Sequence, residues 1–453
     1  MTGVTGPAAG ATTVFRCARV FTGGQLREGI DIHCQDGVIT AVGPQDLSQE
    51  ADLTLAGVVL PGFADAHSHV FHRGLRGRTH GNSEGLGTFW TWRETMYALA
   101  GRLDPDSLYE LAVAAYTEMV CAGVTAVGEF HYLHHRPDGG HYADPNAMGL
   151  AVVEAGREAG LAVTLLDVAY LAGGFDQPLS AQQRRFSDGT AQAWAQRVAA
   201  LPAAVRTGVS IHSVRAVPEA DLQLVARTAD GRPLHVHLSE QPAENEACVA
   251  ATGRTPTRLL ADHGAIGPNT SAVHATHLTD EDIEILAKER AFAVICPTTE
   301  ADLADGLPRA GDLARAGARL ALGSDQHVMC DPLAQARGLE WGERLATGTR
   351  GTFGPADLIE AATATSHASI GSPAGRIAVG DPADFVAIDD SSARTAGSQG
   401  AQLILSATAA DVATVVIGGA VVAEHGVHTR LGDPGPLLAT AIAKAWARPG
   451  RGE

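Results

Sequence analysis

Val58-Val59-Leu60-Pro61-Gly62-Phe63-Ala64-Asp65-Ala66-His67-Ser68-His69 is an apolar run that breaks at Pro61-Gly62, resumes, and then delivers histidines at i and i+2. On a strand that spacing points both imidazoles to one face. Neutral imidazoles converging on one point suit a borderline-soft divalent metal, zinc first. A lone His-x-His is more often a pair of ordinary histidines on a half-buried strand, so the weight of the reading lies downstream.

Downstream, the same design recurs. Apolar runs at residues 125–132, 161–168, 206–213, 233–240, 271–277, 292–297 and 319–325 each read as a strand. Helical patterns lie between them. Residues 106–119 are entered through Pro105 and closed by Gly123, and Ala147–Ala159 is stopped by Gly160. Eight apolar strands, each followed by a helix, predict an α/β chain with a (β/α)8 TIM-like barrel over residues 61–375. The chemistry-bearing residues fall at the C-terminal ends of these strands, where such barrels carry their sites.

On either side of the barrel the rhythm is β only. Asp36-Gly37 between two apolar runs is a hairpin signal, and Gly418-Gly419 is another. Gly380-Asp381-Pro382-Ala383-Asp384 turns into a further strand. The expectation is a small β-sandwich domain built from both chain ends, residues 1–60 and 376–433. Residues 434–453 read as a helix and a loose tail, and residues 1–13 as a frayed start.

The totals exclude several classes. Hydrophobic residues at 45% and charged residues at 19% describe a packed chain rather than a disordered one. A net charge of −18 without a long basic run argues against sequence-independent nucleic-acid binding. No run approaches a membrane span, and no basic-then-apolar leader opens the chain. The six cysteines are scattered with no C-x-x-C pair, which fits reduced thiols in a cytoplasmic protein.

The strand ends collect His67 and His69 from the first strand, His237 and Glu240 from the fifth, His274 from the sixth and Asp325 from the eighth. Three imidazoles and a carboxylate hold a single zinc and leave room for water, whose pKa the metal lowers. Glu240 and His274 remain as proton-transfer groups. Spacing alone leaves His235 competing with His237, and His277 with His274.

These residues resemble the amidohydrolase superfamily: the Pro61–His69 stretch, His237-Leu238-Ser239-Glu240, His274, Gly323-Ser324-Asp325 and the return at Gly380-Asp381-Pro382-Ala383-Asp384. The resemblance covers nearly the whole chain. It implies His67, His69, His237 and Asp325 as metal ligands, with Glu240, His274 and Asp325 catalytic. It also selects His237, because the family's ligand sits three residues before that Glu. Two-metal members carry a bridging Lys or Glu on strand three or four. Residues 161–215 contain no Lys and neither strand ends in Glu, so one divalent metal is expected, zinc or alternatively iron. Mononuclear members of this kind are mostly deaminases.

A narrower resemblance lies in Phe89-Trp90-Thr91-Trp92-Arg93-Glu94-Thr95-Met96-Tyr97, Gly128-Glu129-Phe130-His131-Tyr132-Leu133-His134-His135 and Ile211-His212-Ser213-Val214-Arg215-Ala216-Val217. These are similar to the formimidoylglutamate deiminase family of histidine degradation, which hydrolyses N-formimino-L-glutamate to N-formyl-L-glutamate and ammonia. By motif, Arg93, Tyr132, His212 and Arg215 would hold the substrate. His72 joins them at a position where other members carry Gln. A homodimer is also implied. Guanidinium is the group that binds carboxylates bidentately, and this substrate has two carboxylates. His131, His134, His135 and His141 crowd one loop and are expected to be surface or loop-packing histidines, not a second metal site. Two other readings remain: another mononuclear deaminase acting on a purine or related ring, and an inactive scaffold. Retention of all six strand-end residues argues against the scaffold.

Overall fold

The computed structural model describes residues 10–80 and 89–448. Two sheets organise them. The first four strands are β1 (Thr12–Thr22), β2 (Gln25–Gln35), β3 (Val38–Pro44) and β4 (Leu53–Pro61). The barrel strands follow as β5 (Phe63–Ser68), β6 (Val124–His131), β7 (Ala162–Ala169), β8 (Thr207–Ile211), β9 (Leu234–Leu238), β10 (Thr270–His274), β11 (Phe292–Ile295) and β12 (Arg319–Leu322). The last four are β13 (Phe385–Ile388), β14 (Val412–Ile417), β15 (Ala420–Glu424) and β16 (Val427–His428). All eight barrel strands stand where the sequence pattern placed them. They pair in parallel and in chain order from β5 to β12. Their residues are buried almost throughout, which is why they read as continuous apolar runs rather than alternating ones.

The barrel closes at its chemical end. Ser324 and Asp325 donate backbone N–H to the His67 carbonyl at 3.1 and 2.9 Å, and His69 N–H returns to the Asp325 carbonyl at 3.0 Å. Ser68 and Asp325 form the bridge between the first and last strands. The Asp65 carboxylate ties the same seam by accepting Ser324 N–H at 2.9 Å.

The second sheet runs β16-β15-β14-β13-β4-β1-β2-β3 and so draws on both chain ends. It is one ladder of strands that curls over itself. Asp36 and Gly37 take positive φ (49° and 82°), as a tight hairpin turn needs. That turn meets the loop before β13, where Ala383 N–H donates to the Gly37 carbonyl at 2.9 Å. Phe15, Ile32 and Ile39 thereby pack with Phe385 and Val416 in a core separate from the barrel's. The opening apolar run is thus shared between the sheets: β4 ends at Pro61, and β5 begins after Gly62. A Cβ at Gly62 would lie 2.4 Å from Thr125 Oγ1, so the crossing from one sheet to the other needs glycine. The start is less frayed than expected, because Thr12 already pairs with Gln35; residues 1–9 and 449–453 lie outside those described.

The first helix is α1 (Phe89–Ala100), and α2 (Pro105–Cys121) and α3 (Ala147–Ala159) show their signals in place. Asp104 accepts Ser107 N–H and caps α2, with Pro105 at its first position. Gly160 ends α3 in the left-handed conformation. The helix Pro434–Ala447 packs on α2, tied by Lys444 to Glu110 at 2.9 Å and by Trp446 Nε1 to the Gly74 carbonyl at 2.9 Å. No described helix is long and apolar enough to cross a membrane. All six cysteines are free, and five are buried.

A buried charge network braces the wall behind β7. Arg197 reaches Asp167 at 2.7 Å and Asp188 at 2.9 Å, with all three side chains at most 5% exposed. Trp194 Nε1 also donates to Asp167 at 2.9 Å. Arg197→Met would leave two buried carboxylates without their cation. The expected cost is about 3–5 kcal/mol of unfolding free energy, read as a lower urea midpoint at unchanged m-value.

Candidate active site

Four predicted side chains meet at the mouth of the barrel. His67 and His69 leave the end of β5, His237 comes from β9 and Asp325 from just past β12. Their ligand atoms all lie within 4.8 Å of one another, and every one of these residues is buried. His237 Nε2 is 3.1 Å from His67 Nε2 and 3.3 Å from His69 Nε2. Asp325 Oδ1 is 3.1 Å from His69 Nε2 and 3.4 Å from His67 Nε2.

The outer hydrogen bonds fix what these nitrogens offer. His69 Nδ1 donates to the Phe130 carbonyl at 2.9 Å, and His237 Nδ1 to the His212 carbonyl at 2.9 Å. Each Nε2 therefore presents a lone pair to the centre. Burial pushes the His67 imidazolium down to about 3 and that of His237 well below its usual value, so both rings are neutral near pH 7. Burial works against the Asp325 carboxylate, but the imidazoles of His67, His69 and His274 around it hold its pKa well below the ordinary range. Lone pairs facing one another beside a single negative charge are a donor set shaped for a divalent cation.

The competing histidines are elsewhere. His235 faces the Ser369 carbonyl at 3.0 Å, and His277 the Asp305 carbonyl at 2.7 Å. His274 stays beside the cluster, its ring stacked 5.7 Å from that of His237. Burial alone would lower the His274 pKa, but Glu240, Glu300 and Asp325 around it raise it to about 10.

Above the cluster opens a cleft of about 650 Å3. Its lining contains every other residue assigned to substrate or catalysis: His72, Arg93, Tyr132, His212, Arg215, Glu240 and His274. Trp92, Met96 and Tyr97 from α1 line it as well, with Tyr170 and Phe186 on the wall. His72 Nε2 and Tyr132 Oη lie 2.9 Å apart. Arg93 sits over the Tyr97 ring at 5.8 Å. Arg215 is half-buried with an unpartnered buried Nε. The backbone is strained where the chemistry is: Ser239, His274, Ala275 and Asp325 all have positive φ, between 47° and 67°.

Sequence reasoning missed several buried supports. Glu129, at the end of β6, accepts Ser68 Oγ–H at 2.7 Å and Val70 N–H at 2.8 Å, and its pKa is pushed up by burial to about 7. His327 Nε2 faces Ser68 Oγ at 2.8 Å. Glu300 lies 3.5 Å from His274 Nδ1. A second metal-capable group, His274, Cys296 and Glu300, was likewise not foreseen. The loop histidines are a correction in part: His131, His134 and His135 are buried rather than on the surface. His134 Nε2 faces the Val168 carbonyl and His135 Nε2 pairs with Asp188, which is packing. His141 is exposed against His135.

Residues 58–422 match the amidohydrolase family. The chain is 37% identical over 383 residues to formimidoylglutamate deiminase of Pseudomonas aeruginosa, covering 82% of this chain and 84% of that one. It is 29% identical over 363 residues to 5-methylthioadenosine/S-adenosylhomocysteine deaminase of Halobacterium salinarum, 78% of each chain. Among solved structures, an amidohydrolase from Brucella melitensis superposes with a TM-score of 0.86 at 31% identity, covering 96% of this chain and all 100% of that one. A zinc-bound adenosine deaminase from Xanthomonas campestris shares the fold, with a TM-score of 0.81 at 22% identity over 97% and 98% of the two chains. With the barrel, the strand-end cluster and these matches together, the chain belongs to the amidohydrolase family.

Proposed function

We propose that this chain hydrolyses N-formimino-L-glutamate to N-formyl-L-glutamate and ammonia, as a metal-dependent deiminase of histidine degradation. The observation that carries the reading is a cleft with two guanidinium groups, Arg93 and Arg215, on its wall and three imidazoles with a carboxylate at its floor. The similarity to the Pseudomonas deiminase supports it.

His67, His69, His237 and Asp325 would hold one divalent ion, with zinc the metal their chemistry favours and iron the alternative. Such an ion supplies Lewis acidity and brings the pKa of water toward neutrality. Arg93 and Arg215 take the two carboxylates of the substrate, and Tyr132, His212 and His72 complete its seat. This anchoring orients the formimino carbon over the floor of the cleft. Asp325 takes the proton of the attacking water, while His274, held protonated by the carboxylates around it, orients the attacking oxygen and passes protons on. Glu240 passes a proton to the nitrogen that leaves, and the tetrahedral carbon collapses with loss of ammonia.

The test is ammonia release by the metal-loaded protein from N-formimino-L-glutamate, with N-formimino-glycine and an adenine nucleoside alongside. Fast release from formiminoglutamate alone supports the assignment. Release from the nucleoside, or from none of the three, overturns it. In the same assay Arg215→Met is expected to raise KM about 10- to 100-fold, the loss of one charge-assisted pair, with kcat changed only a few-fold. An unchanged KM would remove Arg215 from the substrate seat.

A further inference from the structure

We infer that Glu300 is the positioning residue of His274, holding its Nδ1–H so that Nε2 is presented to the cleft. This rests on the reading of His274 as a proton-transfer group. Glu300 Oε1 lies 3.5 Å from His274 Nδ1, and the two side chains are 3% and 1% exposed. That nitrogen is buried and otherwise without a hydrogen-bond partner, with the Glu300 carboxylate just outside hydrogen-bonding geometry. A buried ring N–H is costly to leave unmatched, and the carboxylate is the acceptor within reach. Glu300 is itself fixed, because Cys296 N–H donates to the same oxygen at 2.8 Å.

The backbone leaves the ring little freedom. His274 and Ala275 have φ of 67° and 50°, and Ala275 N–H is held by the Leu238 carbonyl at 3.1 Å. His274 lines the cleft, whereas Glu300 and Cys296 do not. Glu300 therefore does not meet the substrate and acts only through His274. The tautomer of a histidine is set by what its second nitrogen binds, and a carboxylate behind a catalytic imidazole is how hydrolases with a nucleophile–base pair orient the base. The same three residues could instead coordinate a second cation through the Cys296 sulfur, since their ligand atoms lie within 4.8 Å of one another. The positioning role is favoured because the Glu300 oxygen nearest His274 is already engaged by Cys296 N–H.

A double-mutant cycle on the metal-loaded full chain tests this. Glu300→Gln is expected to lower kcat about 10- to 100-fold, the range typical of carboxylates that orient a functional histidine, with KM within twofold. In a His274→Ala background Glu300→Gln should cost nothing further. Independently of substrate, the proton spectrum of the wild type should show a low-field ring N–H that is absent in His274→Ala and moved upfield in Glu300→Gln. Equal losses in both backgrounds, an unmoved N–H resonance, or a second equivalent of metal that disappears in Cys296→Ala would each overturn the inference. If the wild type releases no ammonia from formiminoglutamate, the functional assignment falls, and the N–H resonance alone decides the role of Glu300.

Discussion

Glu240→Gln is expected to lower kcat by about 100- to 10,000-fold, the range of a lost general acid–base group, while metal content stays that of the wild type. Glu240 lies three residues beyond His237, after Ser239 at φ 52° has turned the chain out of its strand. It lines the cleft and is 9% exposed, yet it is outside the cluster of four ligand-like side chains. Gln keeps the volume and one acceptor oxygen but cannot carry a proton between water and nitrogen. Turnover by ammonia release, with metal measured on the same sample, separates the two roles. Undiminished kcat would remove Glu240 from the mechanism, and lost metal would make it a ligand.

The second large effect is expected at Asp325→Asn. Asp325 is the one anion of the cluster, 3.1 Å from His69 Nε2. Its backbone also closes the barrel, but those bonds survive the substitution. Metal affinity, measured by competition with a chelator, should fall by more than the roughly 10- to 100-fold that partners beyond the ligand shell cost. Activity should fall with it. A wild-type sample stripped by the same chelator should lose thermal stability, because the ion binds the folded chain alone. Asp325→Asn with wild-type metal affinity would show that the carboxylate is no ligand.

The barrel was legible because its strands are buried almost throughout and read as apolar runs, four of which lead into residues of the site. The cluster was legible because His67, His69, His237 and Asp325 sit at strand ends, although only the family resemblance chose His237 over His235. What was hidden acts from behind. Glu300 stands in the first turn of a helix, where a carboxylate is ordinary for reasons of dipole and solvation. Glu129 lies near the end of an apolar strand, and nothing local says that Ser68 and Val70 will point their donors at it. His131, His134 and His135 look like a polar loop, and only the packing of Asp188 and the Val168 carbonyl around them shows otherwise. The small β domain was read correctly as built from both chain ends, but the order of its strands was not legible. That order depends on pairings between residues more than 300 positions apart, as between Pro61 and Phe385.

The seam that joins the first barrel strand to the last also sets a schedule for how the molecule is made. Ser68 and His327, which meet there, are 259 positions apart in the chain. At about 5–20 residues per second, a ribosome takes roughly 10–50 s to cover that interval. Throughout it, His67 and His69 have emerged without Asp325, and the first barrel strand lacks its closing neighbour. A nascent chain therefore cannot assemble the four-residue cluster early. Any ion held by these four side chains would be bound only after residue 325 has been translated, and the newborn chain must keep an unpaired apolar strand out of trouble until then.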